Sequence, residues 1–348
     1  MLSQQLKIYN RDQVLSYTKL RRFETKIGEV IQIAEVTDNI EKSIQQSNAR
    51  FVMIGVPEDI GVKANDGNGG GSSAWTSFLT SFLNIQSNDF FDGGNTMLLG
   101  HLNFAGISEV IESNAGNKDE RVDAYRHSVA RIDEAVEDVV KMITANGKIP
   151  VIISGGHNNA YGCIKGAAKG WYKKGDIPLA QINVINLDAD AEYKPLEGRH
   201  SANAIRYAEE DGYLEKYCVV GLHENSLTQN SWLDIANNPF FDFVTYEDIF
   251  IHGKQSFSDA IHHAINFTAN TLCGIEIDLS TIQQGGTSAF GISSLHARQF
   301  IHTVASNIQP AYLHIAEAFN RAGDRYNTEV AGRIISCLVS DFIKAMNS

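Results

Sequence analysis

The sequence has no continuous apolar run long enough to span a bilayer, which takes about 20 predominantly apolar residues. Met1 to Asp12 also lacks the apolar stretch of a secretory signal, so a cytoplasmic protein is expected. Cations are scarce: 29 Lys and Arg stand against 41 Asp and Glu, a formal net charge of −12. That balance argues against a nucleic-acid backbone or an anionic membrane as partner, because both would be repelled at long range. A metal ion or a cationic ligand suits it better. Only four cysteines occur, Cys163, Cys218, Cys273 and Cys337, and none has the short paired spacing of a zinc or redox motif. Buried free thiols are the simpler reading, in keeping with a reducing compartment. Repeats and low-complexity linkers are absent too, so no domain boundary suggests itself.

What is present is ordinary globular material, with 43% hydrophobic and 20% charged residues over 348 positions, enough for one large α/β domain. After the first fifty residues of mixed character, short apolar runs alternate with longer amphipathic stretches, the pattern of a mainly parallel sheet covered by helices. Strands are predicted over Phe51–Val56, Thr96–Leu99, Lys148–Ile153, Leu179–Leu187, Tyr217–Val220, Phe241–Thr245, Thr271–Asp278 and Ala311–Ile315. The clearest helix spans Glu120–Ala145, where Val122, Tyr125, Val129, Ile132, Val136, Val139 and Ile143 recur at steps of three or four, with Asn146-Gly147 as its stop. Weaker helical patterns cover Trp75–Asn84, Asn159–Lys169, Phe257–Asn270, Leu295–Asn307 and Val330–Met346. The Gly-rich stretch Asn65–Ser73 lacks the Gly-Lys-Ser/Thr ending and the spacing of nucleotide loops. It reads as a flexible loop, either at an active-site mouth or as a plain surface turn.

Three apolar runs end in metal-capable side chains, at the carboxyl edge where α/β sheets place their sites. Val151–Gly162 (VIISGGHNNAYG) breaks at Gly155-Gly156 and then presents His157. Taken alone, such a histidine is more often a local hydrogen-bonding residue than a ligand. Val184–Lys194 (VINLDADAEYK) carries Asp188, Asp190 and Glu192 at alternate positions, which in extended chain share one face. Three anions there repel one another unless cations or solvent intervene; an exposed acidic loop is the alternative. Leu272–Ser280 (LCGIEIDLS) places Glu276 and Asp278 on one face and Ile275, Ile277 and Leu279 on the other.

The order of Gly-Gly-His, a strand ending in Asp-Ala, and a strand with two acids at period two resembles the arginase, agmatinase and formimidoylglutamase (ureohydrolase) family, nearest its formimidoylglutamase-like branch. The likeness runs from about Phe51 onward and includes GVPEDIG (Gly55–Gly61), GRHSAN (Gly198–Asn203), GLHEN (Gly221–Asn225) and LHIAE (Leu313–Glu317). The resemblance implies a three-layer α/β/α fold over residues 1–348, residues 1–50 being an N-terminal extension packed on it. It further implies a homo-oligomer, trimeric or hexameric, and a metal-dependent hydrolase of a C–N bond in a small amidine or guanidino substrate of the formiminoglutamate, arginine or agmatine type. Members use two Mn2+ ions sharing a hydroxide, roughly 3.5–4 Å apart in two-metal sites. His157 and Glu192 would then serve the first ion, Asp190 and Asp278 the second, and Asp188 and Glu276 would bridge. Oxygen ligands with limited imidazole suit manganese or magnesium.

Three of those six positions depart from the family pattern. Asp190 stands for a histidine, Glu192 for an aspartate and Glu276 for an aspartate. Asp188, Asp190, Glu192, Glu276 and Asp278 carry −5 when ionised, against +4 from two divalent ions, an excess that weakens Lewis acidity. A single-ion or non-catalytic relative with a degenerate site is therefore the alternative. The resemblance also makes His200 and Glu317 candidate catalytic residues and places Ser201 and Asn203 among substrate-binding groups. Arg199 could pair with a substrate carboxylate or with a neighbouring acid. Glu317 could orient a basic substrate group or be a buried, hydrogen-bonded acid. His223 and Glu224 receive no role, and the adjacent His262 and His263 point apart on a helix.

Overall fold

The computed structural model describes residues 5–34, 39–283, 291–318 and 325–347. Among the described residues ten strands form one sheet: β1 (Leu6–Ile8), β2 (Gln32–Ile33), β3 (Phe51–Val56), β4 (Thr96–Leu102), β5 (Ile149–Ser154), β6 (Ile182–Leu187), β7 (Leu214–Leu222), β8 (Phe241–Thr245), β9 (Cys273–Asp278) and β10 (Pro310–Ala316). The order is β1-β4-β3-β5-β10-β9-β6-β7-β8, with β2 also pairing β4, and only the β1–β4 pair is antiparallel. Every residue of β3, β5, β6, β9 and β10 is buried, as expected of parallel strands covered on both faces.

The six longest helices among the described residues are α1 (Ala74–Phe82), α2 (Lys118–Ala145), α3 (Asn159–Lys174), α4 (Phe257–Thr268), α5 (Ser294–Asn307) and α6 (Arg325–Ala345). They form two layers. On one face α2 packs against α3, which lies on β6 and β10; on the other, α1 meets α6, α6 meets α5 and α5 meets α4. The long helix α2 starts where the Asn117 side chain accepts from Glu120 N and stops at Asn146, before Gly147 at φ 71°, a conformation that glycine adopts without penalty.

The predicted strands and helices all occur, with shifted ends. β6 begins at Ile182 rather than Leu179, which is left exposed in the preceding turn. β1 and β2, three and two residues long, fall below the length at which a period of two can be recognised. No helix among the described residues is long and apolar enough to cross a membrane, and all four cysteines are free.

From β5 the chain passes through α3 to β6, and the gap between those strands is filled later by β9 and β10. The carboxyl ends of β5, β10, β9 and β6 are thus neighbours, and each leads into a metal-capable side chain. The sheet is held to α6 partly by Phe342, a fully buried ring 5.6 Å from Phe51 in edge-to-face contact. Phe342→Ala is expected to lower unfolding stability by about 3–5 kcal/mol, read as a reduced midpoint in urea denaturation with unchanged slope.

Candidate metal centre

β5 ends in a turn that only glycine fits: a Cβ on Gly155 would lie 1.7 Å from the Glu58 carbonyl oxygen, and one on Gly71 would lie 2.1 Å from the Gly155 carbonyl. The Gly-rich stretch is accordingly no free surface loop at its end, since Gly71 is buried against this turn. The turn delivers His157 into the interior, fully buried. Its Nδ1 lies 3.1 Å from Asp278 Oδ2, 3.3 Å from Asp188 Oδ2 and 3.9 Å from Glu192 Oε1. Asp188 and Asp278 therefore converge from different strands on one imidazole nitrogen.

Each acid is held by its local backbone. Asp188 Oδ2 accepts from Asn186 Nδ2 at 2.9 Å, its Oδ1 from Asp190 N at 2.9 Å, and Asn186 also donates to Tyr217 Oη at 2.9 Å. Asp278 Oδ1 accepts from Ser280 N at 2.6 Å. Glu192 and Glu317 have φ of 53° and 58°, a region L-residues enter at a cost and mostly at functional sites. Glu317 Oε1 accepts from His157 N at 3.3 Å.

One donor atom each from His157, Asp188, Glu192 and Asp278 lie within 4.8 Å of one another. Donors about 2.1 Å from an octahedral ion are separated by roughly 3–4.2 Å, so a small contraction would close this group on one divalent cation. Buried Glu192 Oε2 has no hydrogen-bond partner, which is costly for a carboxylate oxygen without a counter-ion. Three oxygen donors and one imidazole fit manganese or magnesium. Burial, reinforced by the Asp278 charge, pushes Asp188 well above the usual carboxylate range. Burial also drives Glu192 well up, and Glu317, with Asp278 nearby, to about 8. Burial disfavours the charged form of His157, but the Asp278 hydrogen bond and the surrounding acids outweigh it and raise its pKa well above 6.5.

Two of the expected ligands stand apart from this group. β6 ends at Leu187, so the alternation assumed for Asp188, Asp190 and Glu192 does not continue: the left-handed Glu192 turns inward while Asp190 is exposed at the rim. Glu276 is fully buried, but Tyr312 Oη donates to its Oε1 at 2.6 Å and His314 Nδ1 contacts its Oε2. Burial would raise its pKa, yet His314 and His157 hold it down to about 2.

The loop after this motif is built around itself. Arg199 takes the second of its two alternatives: Nε donates to Asp133 Oδ2 at 2.8 Å, Nη1 to Asn203 Oδ1 at 2.7 Å and Nη2 to the Asn158 carbonyl at 3.0 Å. Its guanidinium is flanked by the rings of Tyr161 and Tyr207 at 4.6 and 4.8 Å. Asn203 donates to the carbonyls of Pro195 and Gly198. His200 is buried, accepts from Ala202 N at 3.2 Å and lies 3.3 Å from Glu197. Burial and the cations Arg126, Lys194 and Arg199 push its pKa down to about 3. Ser201 is buried beside it. None of these four is among the residues grouped with the His157 cluster.

Sequence reasoning missed Asn186, Ser154, Tyr312, His314 and Glu58. Glu58 is buried and accepts from Asn159 Nδ2 at 2.6 Å and Ile60 N at 2.7 Å, tying the β3 loop to the His157 turn. A usable signal existed: Asn186 and His314 interrupt otherwise apolar strand runs, and buried polar groups in such places are there for a partner.

The formimidoylglutamase of Streptococcus pyogenes serotype M6 is 21% identical over 281 residues, covering 79% of this chain and 76% of that protein. The crystal structure of Bacillus subtilis formimidoylglutamase superposes with a TM-score of 0.71 at 15% identity, covering 94% of each chain. Trypanosoma cruzi formiminoglutamase, solved with Mn2+, gives a TM-score of 0.67 at 17% identity, covering 92% of this chain and 98% of that one. Agmatine ureohydrolase of Thermoplasma volcanium gives 0.63 at 16% identity, covering 97% of each. Residues 49–319 match the sequence pattern of the arginase family, and the chain belongs to that family.

Proposed function

We propose that the chain is a metal-dependent hydrolase that cleaves a C–N bond in a small amidine or guanidino compound, with formiminoglutamate as the first substrate to test. The observation that carries this reading is the buried convergence of His157, Asp188, Glu192 and Asp278 at adjoining strand ends. The names of the relatives supply the substrate class, and the Mn2+ of the T. cruzi protein supplies the candidate metal. When bound, such an ion supplies Lewis acidity and acidifies water at neutral pH.

The chain's own residues have separable tasks in this proposal. Asp188, Glu192 and Asp278 hold the cation and screen one another's charge through it, while His157 contributes Nδ1. Glu317, whose pKa in the metal-free protein is raised to about 8 by burial and the Asp278 charge, sits against the His157 backbone beside the cluster and is the candidate proton donor to a departing amine. Arg199 and Asn203 shape the loop, their polar atoms being engaged within it. The neutral His200 is kept as a candidate proton-transfer group. Exposed Asp190 in place of the family's histidine favours a second reading, a relative that binds a ligand without turnover.

Purified protein incubated with Mn2+ is expected to release formamide from formiminoglutamate, or urea or ammonia from arginine, agmatine or a guanidino acid. Asp278→Asn should lower kcat/KM by at least about 100-fold, on the scale of losing a metal-site group. Absence of turnover across this panel, with metal bound, would favour the second reading.

Stability against pH tests the cage independently. The folded, metal-free protein takes up protons relative to the unfolded chain, because Asp188, Glu192, Glu317 and His157 all have raised pKa values. Stability should therefore fall as pH climbs from the carboxylate range through about 8. In scanning calorimetry with EDTA, Tm is expected to be lower at pH 8 than at pH 6, and the rise on adding Mn2+ larger at pH 8. The reverse order would contradict a charge-crowded cation site.

A further inference from the structure

Glu58 lies buried just past the end of β3, at the carboxyl edge where β3 and β5 run side by side. Four donors converge on its side chain. Oε2 accepts from Ile60 N at 2.7 Å and Gly61 N at 3.3 Å, the first N–H groups of the short helix Ile60–Ala64. Oε1 accepts from Asn159 Nδ2 at 2.6 Å and Asn158 Nδ2 at 3.2 Å, about a hundred residues further along the chain. Burial raises the pKa of Glu58 and these four hydrogen bonds lower it.

The second pair of bonds leads to the metal centre. A side-chain amide has two protons to give, and Asn159 Nδ2 donates both to Glu58 and to the Gly156 carbonyl, the latter at 2.8 Å. That carbonyl belongs to the peptide linking Gly156 to His157. The orientation of the backbone entering His157 is therefore tied to Glu58 through one intervening side chain. Close contacts leave the joint little slack: a Cβ on Gly61 would lie 1.9 Å from Asn158 Oδ1, and Gly155 N donates to the Val56 carbonyl at 3.0 Å. The next residue, Asp59, accepts from Gly70 N at 3.1 Å, so the loop after β3 also holds the Gly-rich segment that packs on this turn.

We infer that Glu58 is a positioning residue for His157: through Asn158 and Asn159 it fixes the Gly155–Asn159 turn in the orientation that brings Nδ1 to Asp188 and Asp278. This rests on the metal-dependent reading proposed above and deepens it, because the aim of a ligand depends on the groups that hold it from behind. Both oxygens of Glu58 are needed, since donors arrive on two sides. A glutamine offers only one acceptor oxygen. Aspartate side chains readily bond the backbone N–H two residues on. Glu58→Asp thus keeps the bond to Ile60 N but ends a methylene short of Asn158 and Asn159.

That variant is compared with the unaltered full-length protein, first metal-free and then titrated with Mn2+. Without metal, amide hydrogen exchange across Ser154–Tyr161 is expected to quicken about tenfold or more, while exchange across Ile60–Ala64 stays unchanged. The His157 ring resonances of 15N-histidine-labelled protein are expected to shift, and those of His101 on β4 to stay. Mn2+ affinity is expected to weaken by about 10–100-fold. Faster exchange throughout the sheet would show a general loss of packing, and unchanged exchange, resonances and affinity would make Glu58 a local cap; either result overturns the assignment. Absence of Mn2+ uptake by the unaltered protein would overturn the hydrolase reading, with the metal-free exchange and resonances still deciding the role of Glu58. Should Glu58→Asp fail to fold, Asn159→Ala removes the same bond from the α3 side, where alanine suits the helix, and is expected to give the same resonance shift and weakened affinity.

Discussion

Like-charged groups packed where water cannot reach them are the central constraint in this molecule. At the short separations around His157, mutual repulsion of carboxylates is weakly screened, and burial adds to the penalty for each ionised form. Asp188, Glu192 and Asp278 can all be ionised only if positive charge sits among them. Without metal, that charge is a proton held by His157, which is why its pKa stands well above the ordinary imidazole value. A divalent ion would replace that proton. Glu276 has different neighbours, the Tyr312 hydroxyl, which donates to it, and the His314 ring within the sheet.

The fold makes this crowding tolerable by fixing each group from behind. Two glycine contacts force the β5 turn, Asn186 ties Asp188 to Tyr217, and Ser280 N caps Asp278. Rigid parallel strands buried on both faces then hold the acids against their own repulsion. The loop bearing Arg199 is locked similarly, its guanidinium bonded to Asp133 of α2 and flanked by two tyrosine rings.

The sheet was legible in the sequence because buried parallel strands read as short Val- and Ile-rich runs, and the strand-end motifs could be named from spacing alone. Convergence of His157, Asp188, Glu192 and Asp278 follows from strand order, which spacing does not encode but the family resemblance implied. Side-chain direction was less accessible. Asp190 looked like a partner of Asp188 because a period of two was carried past the end of β6, where the left-handed Glu192 breaks it. Arg199 had two equal readings because its partner, Asp133, lies on a helix distant in sequence. The Glu276–His314 pair was hidden for the same reason: the partners lie on adjacent strands β9 and β10, in register at that position, and only the tertiary pairing brings them together.

The late insertion of β9 and β10 between β5 and β6 also sets an order of assembly. A nascent polypeptide that has emerged as far as Thr268 has every other described strand but no middle to its sheet, and no Asp278 to complete the cage. Long-range closure of this type is slow compared with local helix formation. Cation capture must therefore wait until β9 has joined the sheet, because Asp278 is the last of the four clustered ligands in chain order.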